Sequence, residues 1–284
     1  MTGINAVSHE APFTLNGKTA IVTGGARGIG RAVVEQLVSA GARVLACDLD
    51  REALQEMQAS VGNPESVATI QGDLIEASFP QHIVDAALGA FHSIDIIVNC
   101  AGFSWDSVIQ KTSDEQFLAM LNIHVVAPFR LLRAASNYLR ETAKREIAAG
   151  QRVMRKVVNI TSISGTDGNP GQAGYSSGKA GVIGLTKTLA REWGRYNINV
   201  NAVGFGLIQT RMTQPLKPGG NIQVAGKEIP IGVQPATLDS IVAACPLGRI
   251  GTPEEAAGAV LFFCSPLSDY VTGEVLICSG GFHF

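Results

Sequence analysis

The chain has 284 residues, 46% of them hydrophobic and 16% charged, so a sizeable core can form and disorder along the chain is not expected. Lys and Arg number 22 against 24 Asp and Glu, a formal net charge of −2, and no basic stripe points to nucleic acid as a partner. The five cysteines (Cys47, Cys100, Cys245, Cys264, Cys278) form no C-x-x-C pair and the five histidines no H-E-x-x-H, which reads as small buried thiols in a reducing compartment and no metal site. No leader pattern opens the chain and no apolar run reaches the roughly 18 residues of a membrane span, so the expectation is a cytoplasmic protein without a membrane partner.

After a tail over residues 1–16, 18-KTAIVTGG-25 predicts a buried strand that runs into a glycine turn. A helix with apolar residues at helical spacing and a glycine stop follows in 28-GIGRAVVEQLVSAG-41. Then come a strand, 43-RVLACD-48, a helix from about Arg51 to Ser60, and strands in 67-VATIQGD-73 and 94-IDIIVN-99. The stretch 113–150 reads as mostly helical and opens on the capping box 113-SDEQ-116. A strand in 157-VVNIT-161, a helix over 174–196 and a strand in 198-INVNAV-203 continue the pattern. Residues 204–250 read as one long Gly- and Pro-rich loop over a binding site. A second capping box, 252-TPEE-255, starts the last helix, and 274-EVLIC-278 is the last strand. Strands alternating with helices, each strand apolar on both faces, predict a single α/β domain over residues 17–284 with a doubly wound parallel sheet covered on two sides.

Two stretches carry chemistry. In 23-TGGARGIG-30, glycines 24, 28 and 30 let the backbone approach a diphosphate, and the helix behind them offers its positive end. Asp48, at the end of the second strand, suits the hydroxyls of an adenosine ribose and would repel a 2′-phosphate, whereas Arg27 would attract one. NAD(H) is therefore favoured, with NADP(H) left open. In 175-YSSGK-179 a phenol and an ammonium stand one helical turn apart, on one face.

Together these motifs resemble the short-chain dehydrogenase/reductase family, over nearly the whole chain. The glycine spacing T-G-x-x-x-G-x-G, the turn 99-NCAG-102, the helix 121-LNIHVVAPF-129, Ser162 thirteen residues before Tyr175, and YSSGK fall in the family's order. The resemblance implies a Rossmann-type sheet of about seven strands and a catalytic set of Asn122, Ser162, Tyr175 and Lys179. Tyr175 would be the general acid or base, and Lys179 would lower its pKa and hold the nicotinamide ribose. Ser162 would polarise the carbonyl, and Asn122 would hold a water that passes protons to Lys179. Cofactor contacts implied are Gly24, Arg27, Gly28, Ile29, Gly30, Asp48, Leu49, Asp73, Leu74, Asn99, Ala101, Gly102, Tyr175, Lys179, Gly206, Ile208 and Thr210, with Trp105, Ser164 and Phe205 near the substrate. Taken singly, Ser162 also fits a turn cap and Asn122 a helix residue at an interface.

The chain departs from the family pattern at Cys100, at Phe205 where a proline is usual, and at Cys278-Ser279. Phe205 would either approach the substrate or pack beneath the loop. The segment 141-ETAKREIAAGQRVMRK-156 reads as a solvated, basic extension, and Lys217 and Lys227 as candidates for the phosphates of a carrier-bound substrate. Segments 178–192 and 246–266, with Asp106, resemble 3-oxoacyl-[acyl-carrier-protein] reductases most. The implied function is interconversion of a ketone, as a 3-oxoacyl thioester or a hydrophobic ketone, and its secondary alcohol. An NADPH-linked reductase of fatty acid or polyketide synthesis, a non-catalytic nucleotide-binding scaffold and a methyltransferase are the alternatives. A homotetramer or homodimer is the implied assembly.

Overall fold

The computed structural model describes residues 13–61, 63–215, 221–224 and 227–284. Of the predicted tail only its last four residues are thus seen, Lys217 lies outside the described residues, and so does the side chain of Lys227. Leu15 is buried and its N–H donates to the Ala40 carbonyl at 2.7 Å, so the core begins inside the expected tail.

Seven parallel strands form one sheet. In chain order they are β1 (Thr19–Thr23), β2 (Arg43–Asp48), β3 (Val67–Gln71), β4 (Ile96–Asn99), β5 (Arg155–Ser162), β6 (Ile198–Phe205) and a last strand, Val275–Cys278. Across the sheet the order is β3-β2-β1-β4-β5-β6 and then that last strand. The chain winds outward from β1 in one direction and from β4 in the other, so the connections beyond their carboxyl ends diverge and leave a crevice.

The strands are apolar on both sides because successive side chains enter different cores. Ala20 and Val22 of β1 and Val44 and Ala46 of β2 pack on one face, with α1 (Gly28–Ser39), α2 (Arg51–Ser60) and a late helix, Pro253–Cys264. Ile21 and Leu45, the residues between, pack on the other face, with α3 (Phe79–Phe91), α4 (Asp114–Leu121), α5 (Ala127–Ala148) and a long helix, Ala173–Trp193. The sequence reading left α3 unassigned. Its buried residues Phe79, Ile83, Ala87 and Phe91 recur every four positions, the spacing of one helix face.

Both capping boxes form. Ser113 Oγ accepts from Gln116 N at 3.2 Å while Gln116 Oε1 accepts from Ser113 N at 3.0 Å, and Thr252 and Glu255 repeat the exchange at 3.2 and 2.9 Å. Between α4 and α5 the chain widens to a π-helical turn, Asn122–Val126, where the Ala127 N–H donates to the Asn122 carbonyl. The whole run Asp114–Ala148 is, by length and composition alone, long and apolar enough to cross a membrane, which the sequence reading did not anticipate. Here its apolar stripe, including Leu131, Leu132, Ala135 and Leu139, is buried in the second core.

The expected solvated extension is tied down at its end. Arg155 and Lys156 belong to β5 and are buried; Arg155 bonds Glu146 of α5 at 2.6 and 2.8 Å, and Lys156 bonds Asp269 at 2.7 Å. A short helix, α6 (Ile163–Asp167), follows β5, and the long helix Ala173–Trp193 is α7. The expected loop 204–250 contains an antiparallel hairpin, β7 (Asn221–Val224) with β8 (Lys227–Pro230), and a helix, α8 (Pro235–Ala244). Proline at the first position of α8 starts it without a side-chain cap; Leu238, Ile241 and Val242 stand at helical spacing, and Ile241 packs partly buried against Ile163, Cys245 and Phe282. The late helix Pro253–Cys264 is α9 and the last strand is β9.

Candidate active site

The crevice beyond the carboxyl ends of β1, β4, β5 and β6 is a cavity of about 670 Å³. It runs from the glycine turn and Asp48 at one end to Ser162, Tyr175 and Lys179 at the other. A separate groove of about 630 Å³ on the outer side of α5 and α7 is lined by Phe129, Arg133, Arg140 and Arg195 and contains none of these groups.

At the glycine end the backbone is packed so closely that side chains are excluded. A Cβ on Gly30 would stand 1.9 Å from the Gly24 carbonyl oxygen, and one on Gly24, whose φ is +67°, 2.8 Å from Ala101 Cα. Arg27 precedes α1 without a side-chain cap, so the first N–H groups of that helix, at Gly28, Ile29 and Gly30, remain for an anion in the cavity they line. Asp48 is fastened to this turn: its carboxylate accepts from Ala26 N at 3.2 Å and from Asp50 N at 3.1 Å. Arg27 is not free. Its Nε and Nη2 donate to Asp50 at 3.0 and 2.9 Å, while Asp50 caps α2 by accepting from Ala53 N at 3.0 Å. The Ala53 N–H, and then Arg27, hold the Asp50 carboxyl below its ordinary range.

Thr23 Oγ1 shapes the next turn by accepting from the N–H groups of Cys100 and Ala101 at 3.0 and 3.1 Å. The cavity takes its wall from Cys100, Ala101 and Gly102 there, and from Leu49, Asp73, Leu74, Gly206, Ile208 and Thr210 elsewhere, all but Cys100 expected as cofactor contacts. Asn99 stands behind this wall. Its amide is buried and donates to Asn159 at 2.8 Å, which donates to Thr186 at 2.9 Å, so Asn99 cross-links β4, β5 and α7 and does not line the cavity.

At the far end, α7 carries Tyr175 and Lys179 one turn apart, with the Lys179 ammonium 5.6 Å from the centre of the Tyr175 ring. Lys179 Nζ donates to the Ile160 carbonyl at 2.9 Å, and Thr161 Oγ1 donates to the Lys179 carbonyl at 2.6 Å, which clamps α7 to β5. Ser162 ends β5 and caps α6, accepting from Ser164 N at 3.1 Å, with its hydroxyl in hydrogen-bonding reach of the Tyr175 phenol. Desolvation pushes that phenol up to about 12, against the pull of Ser162, and lowers Lys179 to about 8. At pH 7 the phenol holds its proton and most Lys179 is ammonium.

Three further expected site residues stand outside the cavity wall. Asn122 stands at the start of the π-helical turn and His124, two residues on, meets the Tyr175 ring at 5.0 Å between ring centres; neither lines the cavity. Ser164 is buried and donates to Gln172 at 2.9 Å rather than facing the cavity, and Trp105 packs half-buried against the second core. Phe205 does both things the sequence left open, since its buried ring belongs to the first core and also forms part of the cavity wall. Gln172, three residues before Tyr175, was missed. It donates to Asp106 at 2.8 Å, and Asp106 is also bonded by Ser104, so a polar network stands beside the phenol. Arg211 and Met212, which line the cavity from the turn after β6, had no signal beyond their place in the long loop.

A family model described as enoyl-(acyl carrier protein) reductase matches residues 24–283. A (3R)-3-hydroxyacyl-CoA dehydrogenase of Rattus norvegicus is 36% identical over 276 residues, covering 94% of this chain and 96% of the relative. A 3-oxoacyl-[acyl-carrier-protein] reductase of Thermotoga maritima is 34% identical over 268 residues, covering 94% and 98%. Among solved structures, a short-chain dehydrogenase/reductase of Brucella melitensis described as a glucose/ribitol dehydrogenase superposes with a TM-score of 0.78 at 28% identity, covering 95% of this chain and 98% of that one. A seven-stranded parallel sheet with the glycine turn at its switch point, matched over nearly its full length by these proteins, makes this chain a member of the short-chain dehydrogenase/reductase family of oxidoreductases.

Proposed function

We propose that this oxidoreductase interconverts a 3-oxoacyl thioester and the corresponding 3-hydroxyacyl thioester, with Tyr175 as the proton donor and acceptor. The observation that carries the reading is the convergence of Ser162, Tyr175 and Lys179 at one end of a cavity whose other end is a glycine turn and a helix start shaped for a diphosphate. The family binds a nicotinamide dinucleotide, which when bound supplies or receives the hydride. The turn fits such a group: its glycines leave no room for side chains, and α1 offers uncapped N–H groups. The names of the rat and Thermotoga relatives favour the thioester over other ketones.

The residues divide the work by their chemistry. The carbonyl oxygen of the substrate accepts from the Ser162 and Tyr175 hydroxyls, which stabilises the charge that grows on it during reduction. Tyr175 then gives up its proton to the alkoxide, and in oxidation takes it from the alcohol. Lys179 stabilises the phenolate so formed; without a cation nearby, desolvation alone makes that phenolate costly. Asp48 supports NAD(H) as the nucleotide, because a second phosphate beside it would meet a carboxylate, and Arg27 is already engaged with Asp50.

The test follows oxidation of NADH and NADPH with acetoacetyl-CoA, with crotonyl-CoA as the carbon–carbon double-bond control and Tyr175→Phe as the enzyme control. NADH-dependent turnover of acetoacetyl-CoA, lost in Tyr175→Phe with nucleotide binding retained, is the expected result. Turnover of crotonyl-CoA alone would overturn the ketone reading, and turnover with NADPH alone would overturn the assignment to Asp48. Association into a homodimer or homotetramer belongs to the same proposal; exposed Phe129 on α5 and Leu276 on the edge strand β9 support it, and light scattering decides it.

A further inference from the structure

The last residues of the chain leave the sheet in the row of Ser162. Ser162 of β5, Phe205 of β6 and Cys278 of β9 stand side by side in register, and Gly206 N donates to the Cys278 carbonyl at 3.1 Å. From there the chain turns back on itself. Phe282 N donates to the Ser279 carbonyl at 3.2 Å, with Gly280 at φ +66° and Gly281 at φ +86°. The turn delivers Phe282, 9% exposed, into a small core apart from the two faces of the sheet. Its other members are Ile163, the residue after Ser162; Cys245, the residue just past α8; and the partly buried Ile241 and Ile277.

Polar contacts close the same clip on both sides. Toward the loop, Leu247 N donates to the Gly280 carbonyl at 3.1 Å, and Cys245 Sγ donates to the same oxygen at 3.3 Å. A Cβ on Gly280 would stand 2.9 Å from Cys245 Sγ, and one on Gly281 2.8 Å from Pro246 Cγ, so the two segments are in close contact. Toward α6, His283 Nδ1 lies 3.1 Å from Asp167 Oδ2, and the Phe284 ring stands edge-to-face on Phe282 at 5.3 Å.

The two elements joined by Phe282 have little else in common. No residue of α8 is buried, and the apolar contact that seats it is Ile241 in this cluster. Ile163 belongs to the turn that Ser162 caps, where Ser162 Oγ accepts from Ser164 N at 3.1 Å and lies 3.4 Å from the Phe205 carbonyl. The loop that carries α8 leaves and returns beside the cavity, since Gln209 N donates to the Gly251 carbonyl at 2.8 Å and Gly251 N to the Leu207 carbonyl at 3.1 Å. One ring therefore packs on the serine turn and on the far end of the loop at once.

We propose that Phe282 is a positioning residue for the reaction: it braces the Ser162 turn against the end of the substrate loop, so that the hydroxyl that polarises the carbonyl and the loop seated through Ile241 are set together. The inference rests on the part given to Ser162 in the proposed reaction. Removing the ring empties a close-packed contact, and both neighbours then relax toward the space it leaves.

Amide hydrogen exchange of the whole protein, without substrate, reads the brace directly. In Phe282→Ala, exchange should rise ~10-fold in both α6 and α8 and stay at the parent rate in α1. Ile241→Ala should raise it in α8 and leave α6 at the parent rate. Phe282→Leu should repeat the Phe282→Ala pattern at smaller amplitude, which keeps the comparison open if the alanine variant does not fold. Unchanged exchange on losing the ring, or a rise confined to α8, overturns the proposal. With acetoacetyl-CoA and NADH, Phe282→Ala should lose ~10-fold in kcat and raise KM for the thioester with NADH affinity kept, and Phe282→Leu should recover most of both. An unchanged kcat, or loss of NADH binding in step with kcat, overturns it as well. Failure of the Ser162 reading would show separately, as a Ser162→Ala variant that turns over at the parent rate.

Discussion

The Arg27 guanidinium closes on the Asp50 carboxylate, Nε at 3.0 Å and Nη2 at 2.9 Å, at the mouth of the nucleotide end of the cavity. The pair takes from Arg27 the freedom that would draw a 2′-phosphate to it. Both side chains are more than a third exposed, so the bond is worth at most about 1 kcal/mol. Asp50→Asn keeps the oxygen that caps α2 and removes the charge. We expect it to raise kcat/KM for NADPH relative to NADH by roughly fivefold, the equivalent of about 1 kcal/mol, in steady-state assays. An unchanged ratio would leave Asp48 as the sole determinant.

Gly30→Ala should be far more damaging than an ordinary helix substitution, where alanine would help. Its Cβ would stand 1.9 Å from the Gly24 carbonyl oxygen, which no side-chain rotation relieves. We expect a loss of ~2–4 kcal/mol in stability and more than tenfold weaker nucleotide binding, read by thermal melts and NADH fluorescence titration. Retention of both would show that the turn yields.

Lys179 sets a dependence of stability on pH. Its native pKa is about 8 against the ordinary 10.5, because burial penalises the ammonium. Below pH 8 both the folded and unfolded chains carry the proton and the penalty, on the order of 3 kcal/mol, is present in full. Between 8 and 10.5 the unfolded chain binds more protons than the folded one, so stability rises with pH across that window. Wild type should therefore gain about 2 kcal/mol over Lys179→Met between pH 7.5 and 9.5, measured by urea unfolding. Above pH 10 the raised pKa of Tyr175 works in the opposite direction, since the unfolded chain then releases its phenol proton first. A flat difference would mean that Lys179 is solvated in the folded protein.

Glu146 carries a structural load at the end of α5. Its carboxylate bonds both terminal nitrogens of Arg155, a side chain 4% exposed whose buried Nε has no hydrogen-bond partner. Glu146→Ala strands a buried guanidinium and should cost ~3–5 kcal/mol, whereas Glu146→Ala with Arg155→Met should recover most of it. Chemical denaturation measures both, and activity per folded molecule should stay at the parent level. A cost in the single variant below about 1 kcal/mol would return the segment to the solvated role its composition implies.

What the sequence determined by itself is local. The glycine turn between β1 and α1 was legible because only glycine tolerates that backbone, the capping boxes because their partners are three residues apart, and the Tyr175–Lys179 pair because one helical turn separates them. The alternation of apolar strands with amphipathic helices carried the doubly wound sheet, since each strand had to be apolar on both sides. The tertiary structure decided everything that depends on a distant partner or on exclusion of water. Asn99 is engaged by Asn159, sixty positions away, and Arg27 by Asp50, partners that a motif does not name. That His124 meets the Tyr175 ring turns on the angular register of a helix whose winding widens at that point, and a spacing in sequence does not contain that angle. The pKa values of Tyr175 and Lys179 moved in opposite directions for one cause, desolvation, which disfavours whichever form is charged and arises only when the fold closes around them.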